Sequence, residues 1–325
     1  ASLMREQRWE LAAWEVFEEA KPWREADADV AEAVDFLEYY AGEMEQLDPP
    51  PRLGRYPGEL NELFWSPRGV TVVIAPWNFP LAIPSGMVAA ALVSGNPVLL
   101  KPSERASIMG YRLATILRQA GVPAGVLQYV PGGPDVGREL VTQASVATIA
   151  FTGSKDVGLG MVQAAAVQQP GQKFVKRVIA EMGGKNAIIV DDTADLDEAV
   201  TGVVQSCTGY AGQKCSACSR VILLDSIHDA FIQRLADAVM SLRIGAAEDP
   251  ATQLGPVIDG RAQKRIRDYL EIGRREGRVV VDRSMEGPGY AVGPVVIAGV
   301  EPTHRLAQEE IFGPVLAVMR ALSFE

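Results

Sequence analysis

Cysteine and histidine are scarce, three of one and two of the other in 325 residues. An odd, low cysteine count excludes a disulfide framework and fits a reducing compartment, so the expected location is cytoplasmic. His228 and His304 stand outside any motif. The expected general base is therefore a carboxylate or a lysine, and no metal-ligand set of recognisable spacing can be assembled. Positive charge is also short. Lys and Arg number 31 against 41 Asp and Glu, a formal net charge of −10, which argues against nucleic acid or an anionic membrane surface as the main partner. No run of about 18 apolar residues offers a membrane-spanning helix. No basic n-region and apolar h-region open the chain as a secretory leader would. The first residues, Ala-Ser-Leu-Met, lack a start methionine and begin in mid-pattern, as expected of a chain cut from something longer.

What is present has the balance of an ordinary globular protein, 48% hydrophobic and 22% charged. The length suggests about two domains of roughly 150 residues each. Residues 1–45 read as helical, with Trp9, Leu11, Trp14, Val16 and Phe17 forming one apolar face and Val30, Ala33, Val34, Leu37 and Tyr40 another. Pro and Gly crowd residues 48–69, an extended, turn-rich connection. From Val70 short apolar strands alternate with helices: strands over 70–75, 97–100, 126–130, 146–151 and 175–180, helices over 84–94, 108–120, 134–143 and from Ser154. A second series follows, with strands over 188–190, 221–224, 279–282, 294–298 and 314–319, and helices over about 192–206, 226–242 and 260–276. This rhythm predicts an α/β architecture with parallel sheets covered on both faces. It also puts ligand sites at the carboxyl ends of the strands.

The candidate chemistry lies in loops. Cys215 sits in Gly-Tyr-Ala-Gly-Gln-Lys-Cys-Ser-Ala-Cys-Ser-Arg (209–220), among small residues and ahead of a strand-like run. A thiol on such a loop can be approached. Its thiolate is the nucleophile, and an unperturbed cysteine titrates near about 8.5, so a cation, a helix N-terminus or a base must help. Lys214 is adjacent in sequence. Cys215 and Cys218 also make the C-x-x-C spacing of redox and zinc sites. A cysteine hydrolase would want a histidine partner, and a buried structural cysteine is the remaining reading. Phe-Thr-Gly-Ser-Lys-Asp-Val-Gly (151–158) ends a strand, turns at Gly153 and starts a helix at Ser154. Such a helix N-terminus can hold a phosphate, or the stretch is a plain strand–helix turn. Lys101 and Glu104 close a neighbouring strand. An amine and a carboxylate there can bind ribose hydroxyls, and the carboxylate repels a 2′-phosphate, favouring NAD over NADP. Two glycines after Glu181, in Glu-Met-Gly-Gly-Lys-Asn (181–186), let the backbone come close to a neighbour.

Six short words occur in order: PWNFP at 76–80, KPSE at 101–104, FTGS at 151–154, EMGGKN at 181–186, GQKCSA at 212–217 and EEIFGP at 309–314. Together they resemble the aldehyde dehydrogenase superfamily. The longer stretches at 179–191 and 212–220 resemble its pyrroline-carboxylate branch, which oxidises glutamate γ-semialdehyde to glutamate in proline catabolism. The resemblance implies a Rossmann-type NAD-binding domain over 1–182, with the 48–69 connection related to oligomerisation. It further implies an α/β catalytic domain over 183–325, NAD as cofactor and a homo-oligomer. By the same resemblance Cys215 is the nucleophile, passing through a thiohemiacetal and a thioester. Asn78 and the Cys215 backbone N–H meet the oxyanion, and Glu181 activates the hydrolytic water, a task to which the raised pKa a desolvated glutamate can have is suited. Lys101 and Glu104 fall to the adenosine ribose, Gly153 and Ser154 to the pyrophosphate, Glu310 to the nicotinamide ribose, Phe312 to the nicotinamide and Ser216 to the substrate carboxylate. Lys185 and Arg220 gain no role. Family members carry further residues before the position of Ala1 and after that of Glu325, among them a loop for the substrate carboxylate and an oligomerisation strand. Another small aldehyde as substrate, or a noncatalytic fragment, are the other readings.

Overall fold

The structure is a computed structural model and describes residues 1–324. The chain divides into two compact units, Ala1–Glu18 with Ala26–Met182, and Glu19–Glu25 with Gly183–Glu325.

The first unit opens with helices α1 (Ser2–Glu6), α2 (Arg8–Glu19) and α3 (Trp23–Leu47). Helix α2 buries Leu11, Ala12, Glu15 and Val16, while Trp9 and Phe17 are 65% and 67% exposed. Of the expected apolar face only Leu11 and Val16 are buried. The covered stripe is set by where the neighbouring elements lie, and two carboxylate-bearing residues, Glu15 and Glu19, share it. Helix α3 buries Val30, Ala33 and Val34, as the spacing predicts. Residues 48–69 hold no helix, and an antiparallel bridge joins Arg52 to Glu62.

The alternation then sets in: β1 (Val70–Ile74), α4 (Ala82–Val93), β2 (Val98–Lys101), α5 (Ser107–Gln119), β3 (Leu127–Tyr129), α6 (Pro134–Thr142), β4 (Val146–Thr152), α7 (Lys155–Ala166) and β5 (Arg177–Glu181). The strands form one parallel sheet in the order β3-β2-β1-β4-β5. Val72, Ile74, Ile149 and Phe151 are buried against Leu140 and Val141 of α6. Helix α4 is apolar nearly all round and correspondingly buried. Its Gly86 leaves room for the Phe36 ring of α3, which lies 3.3 Å from where a Cβ would stand. The strand order reverses at β1, and in an open parallel sheet such a switch point is where ligands bind, outside the carboxyl ends of the strands.

The second unit runs β6 (Asn186–Val190), α8 (Leu196–Thr208), β7 (Cys218–Leu224), α9 (Asp225–Met240), α10 (Gly260–Glu276), β8 (Arg278–Asp282), β9 (Val295–Ala298), α11 (Arg305–Gln308) and β10 (Val315–Ala321). Asp195 caps α8 by accepting from the N–H groups of Asp197 and Glu198, and Asp259 caps α10 by accepting from that of Ala262. The sheet order is β6-β7-β10-β9-β8, parallel except for β8, which runs antiparallel to β9. Strand β10 comes last in the chain yet lies in the middle, between β7 and β9, and Val315–Met319 are all buried. Among the described residues no helix is long and apolar enough to cross a membrane.

Candidate active site

In the first unit the expected residues gather where strands finish. Asn78 follows β1 and is buried. Lys101 is the last residue of β2. Its Nζ donates to the Pro102 carbonyl at 3.2 Å, and burial pushes the amine below the usual lysine range against the opposing pull of Glu104. Glu104 is exposed, and its Oε2 lies 3.2 Å from where a Cβ of Gly133 would stand. Ser154 is the N-cap of α7, in extended backbone and without a side-chain cap bond, so no side chain of its own satisfies the N–H groups of the first turn. The Gly153 N–H donates to the Glu181 carbonyl at 3.0 Å, which sets the turn before α7 beside the end of β5. Glu181 itself is exposed. It is the terminal residue of β5, an edge strand of its sheet. An uncapped helix start, a buried amine and a carboxylate suit a ligand with anionic and sugar portions.

In the second unit the candidates lie where strands begin. Asn186 opens β6, Cys215 precedes β7, and Glu310 and Phe312 precede β10. The candidates thus lie at the carboxyl ends of strands in the first unit and at the amino ends in the second. The chain enters the Cys215 loop through three left-handed residues, Tyr210 (φ 47°), Ala211 (φ 53°) and Gly212 (φ 67°). The two non-glycine residues cost about 1–2 kcal/mol each in that conformation. Complete burial of both and a hydrogen bond from Tyr210 Oη to the Glu19 carbonyl (3.1 Å) offset it. At Gly212 a Cβ would stand 2.5 Å from the Gly313 carbonyl oxygen, so only glycine lets this loop meet the one that carries Glu310 and Phe312. Gln213 donates to the Tyr210 carbonyl and accepts from the Ile258 N–H (2.9 Å). Lys214 pairs with Glu25 at 2.8 Å, and the Cys218 N–H donates to Ser206 Oγ (3.1 Å). Asn186 Nδ2 donates to the carbonyls of Cys215 (2.6 Å) and Ala217 (3.2 Å).

The three thiols differ. None is in a disulfide, Cys207 and Cys218 are buried, and Cys215 is half-buried with an exposed Ser216 beside it. Burial pushes the Cys207 thiol far up and that of Cys218 to about 11, which leaves both protonated and inert near neutrality. Among the described residues no three His, Cys, Asp or Glu side chains gather as metal ligands.

The Glu310 carboxylate lies over Gly183, where a Cβ would come within 2.1 Å of it, and accepts from the Gly184 N–H at 3.3 Å. This neighbour is what the two glycines of EMGGKN make room for. Phe312 has φ 56°, a strained value for an aromatic residue. Lys185 Nζ is buried without a hydrogen-bond partner. Its amine is pushed down to about 8 by burial, then by Arg220, against the pull of Glu310, and Arg220 donates to its carbonyl. Sequence reasoning gave no role to Asn186, Ser206, Gln213 or Tyr210. EMGGKN and GQKCSA flagged two of their segments, but a left-handed tyrosine has no signature in the sequence.

A model of the aldehyde dehydrogenase family matches residues 1–325. The chain belongs to the aldehyde dehydrogenase family. Within it, the 1-pyrroline-5-carboxylate dehydrogenase of Geobacillus thermodenitrificans is 48% identical over 327 residues, 100% of this chain and 64% of that protein. A structure of Thermus thermophilus 1-pyrroline-5-carboxylate dehydrogenase superimposes with a TM-score of 0.96 at 46% identity, covering 99% of this chain and 63% of that one. The Thermus enzyme with bound NAD gives the same figures. The chain therefore spans just under two thirds of the length of these relatives. The two sheets described above, one parallel and one mixed, belong to the aldehyde dehydrogenase fold of those structures.

Proposed function

We propose that this chain carries out the NAD-dependent oxidation of an aldehyde, with L-glutamate γ-semialdehyde as substrate and L-glutamate as product, as in proline catabolism. The observation that carries the reading is the contrast among the thiols: Cys215 alone stands half-exposed on a braced loop, while Cys207 and Cys218 are buried and held protonated. The pyrroline-carboxylate names of the relatives support the choice of substrate. In this reading the first unit is the NAD-binding domain and the second the catalytic domain. The Cys215 thiolate adds to the carbonyl carbon, and the carbonyl pair moves to oxygen, met by the Asn78 amide and the Cys215 N–H. When bound, NAD supplies the acceptor for the hydride that the collapsing oxyanion expels. Lys101 and Glu104 hold its adenosine ribose, Gly153, Ser154 and the α7 N-terminus its pyrophosphate, Glu310 its other ribose, and Phe312 packs beside the nicotinamide. Glu181 takes a proton from water, which attacks the thioester; the C–S bond breaks and the thiol is regenerated. Ser216, exposed beside the nucleophile, offers its hydroxyl to the substrate carboxylate.

The reading also carries a cytoplasmic homo-oligomer. In support, the 48–69 connection exposes Leu53, Tyr56, Leu60, Phe64 and Trp65, the residues a second copy would cover, and no cysteine is in a disulfide. The test is NADH formation with glutamate γ-semialdehyde and with a neutral aldehyde of equal length. We expect kcat/KM for the acidic aldehyde to be at least about tenfold higher, since an unpaired polar group in the site is costly. A preference for the neutral aldehyde would transfer the chain to another small-aldehyde substrate, and no NADH with either would overturn the dehydrogenase reading.

A further inference from the structure

We infer that Asn186 is the positioning residue of the nucleophile loop, its side-chain amide holding the turn 215–217 in the shape that presents the Cys215 thiol. The inference rests on reading Cys215 as the nucleophile. One nitrogen donates to two carbonyls of that turn, Cys215 at 2.6 Å and Ala217 at 3.2 Å. Both partners are acceptors, so only the NH2 side of the amide can face them, and the orientation is fixed by chemistry. The oxygen turns toward Gly184, where a Cβ would stand 3.2 Å from it, so the second glycine of EMGGKN leaves the amide its place. The turn is also closed internally, by the Ala217 N–H donating to the Lys214 carbonyl at 3.2 Å.

What aims Asn186 at the loop is an irregularity in the sheet. Asn186 pairs with Cys218 but Ala187 pairs with Arg220, so one residue of β7 is extra at this point, and Ser219 Oγ donates to the Asn186 carbonyl (3.4 Å). A bulge of this kind re-aims the side chain beside it. The peptide whose carbonyl Asn186 holds is the one leaving Cys215. Holding that plane constrains ψ of Cys215, and with it how the residue's Cα–Cβ bond is set against the turn. The remaining braces act elsewhere: Lys214 on Glu25, Gln213 on Tyr210 and Ile258, Ser206 on the Cys218 N–H. Of the braces named here, only Asn186 touches the Cys215 peptide unit.

The test uses Asn186→Asp, which keeps the size but turns an acceptor toward two acceptors, Asn186→Ser, which keeps one donor, and Ser206→Ala, which loosens the neighbouring turn. Each is treated with iodoacetamide at pH 7.5, and alkylation of Cys215, Cys218 and Cys207 is followed separately by peptide mass spectrometry. We expect Cys215 alkylation to fall about tenfold in Asn186→Asp and less in Asn186→Ser, the scale of one or two lost hydrogen bonds. It should stay within about twofold in Ser206→Ala, with Cys207 and Cys218 silent throughout. Unchanged Cys215 alkylation in both Asn186 variants, or an equal loss in Ser206→Ala, would overturn the assignment. If Asn186→Asp does not fold, Cys207 becomes reactive, and Asn186→Ser decides. Cys207 reacting in both would also overturn it, since Asn186 would then hold the whole unit and not the turn. Alkylation needs neither NAD nor aldehyde. A parent with no NADH formation whose Cys215 still depends on Asn186 sinks the dehydrogenase reading alone. In an active parent, the variants should lower kcat and leave KM for NAD unchanged.

Discussion

The two sheets carry their candidate chemistry at opposite ends. In the first unit Asn78, Lys101, Glu104, Gly153, Ser154 and Glu181 lie where parallel strands finish. In the second Asn186, Cys215, Glu310 and Phe312 lie where parallel strands begin. The difference follows from what each end has to offer. A strand that runs into a helix delivers unsatisfied N–H groups and a partial positive charge at its carboxyl end, as at Ser154 and α7. That end suits an anion. A strand entered from a helix receives a chain that must turn sharply, and here the turn is made by left-handed residues: Tyr210, Ala211 and Gly212 before β7, Phe312 before β10. That end has strain, side-chain braces and the carbonyl end of a helix in place of its N–H end, which suits holding one atom in a fixed place. The carboxyl-end rule is a rule about helix starts, and it does not speak of a bent loop that leads into a strand.

The comparison can be broken most sharply at the thiols. Cys215→Ala should lower NADH formation by at least about a thousandfold, as loss of a nucleophile does, while NAD binding by calorimetric titration stays within about twofold. Cys218→Ala and Cys207→Ala should stay within about fivefold of the parent, because neither thiol ionises near neutrality. Retained turnover in Cys215→Ala would end the assignment.

Next in size is Gly212→Ala. It combines a positive φ with a Cβ 2.5 Å from a backbone oxygen, and should cost about 3 kcal/mol or more, the range of overpacking with backbone strain. Gly121→Ala, at φ +101° with nothing within 4 Å, should cost only about 1 kcal/mol. Urea denaturation of the two variants measures the gap, and equal costs would show that the loop before β7 is not under special constraint.

Lys185 sharpens the comparison through pH. Its amine is pushed down to about 8 in the folded protein from an ordinary value of 10.5. Between those values the unfolded chain binds the extra proton, so stability should rise as pH goes from 8 to 10.5, and the penalty is fully present below 8. Lys185→Met should therefore raise the urea midpoint at pH 7 by an amount worth about 1–2 kcal/mol and give little gain at pH 10.5. An equal gain at both pH values would mean that the buried charge is not the cause.

The smallest effect is expected at the strand ends of the first unit. Glu104→Gln removes a like-charge contact with a 2′-phosphate, on the order of 1 kcal/mol, so the NAD-over-NADP ratio of kcat/KM should narrow by about fivefold. An unchanged ratio would place Glu104 away from that ribose.

Much of the frame was legible in the sequence, because buried strands and helix starts are local events. The apolar run at 146–151 and the helix at 260–276, opened by Asp259, fell within a residue or so of where they were read. What was not legible depends on distant parts of the chain. Trp9 and Phe17 looked like core and are exposed, while Glu15 and Glu19 of the same helix are buried, since a helix cannot announce which face its neighbours will cover. The exposure of Glu181 could not be read either, because an edge position is a property of the sheet and not of the strand. The close approach implied by Gly183 and Gly184 was readable, but its partner, Glu310, lies at the far end of the second unit's sequence.

The central position of β10 bears on how the chain is made. Ala317 pairs with Arg220 on one side and with Ile297 on the other, so as the polypeptide leaves the ribosome β6–β7 and β8–β9 emerge as two half-sheets, and β7 and β9 each wait with a bare edge. Until residues 315–321 have been synthesised those edges can pair wrongly, with each other or with a neighbouring nascent chain. The Gly313 carbonyl that packs on Gly212 arrives with the same segment. The loop that carries the thiol thus cannot be set before residues 313–321 are made, and a chain that stops short of them cannot hold Cys215 in its finished geometry.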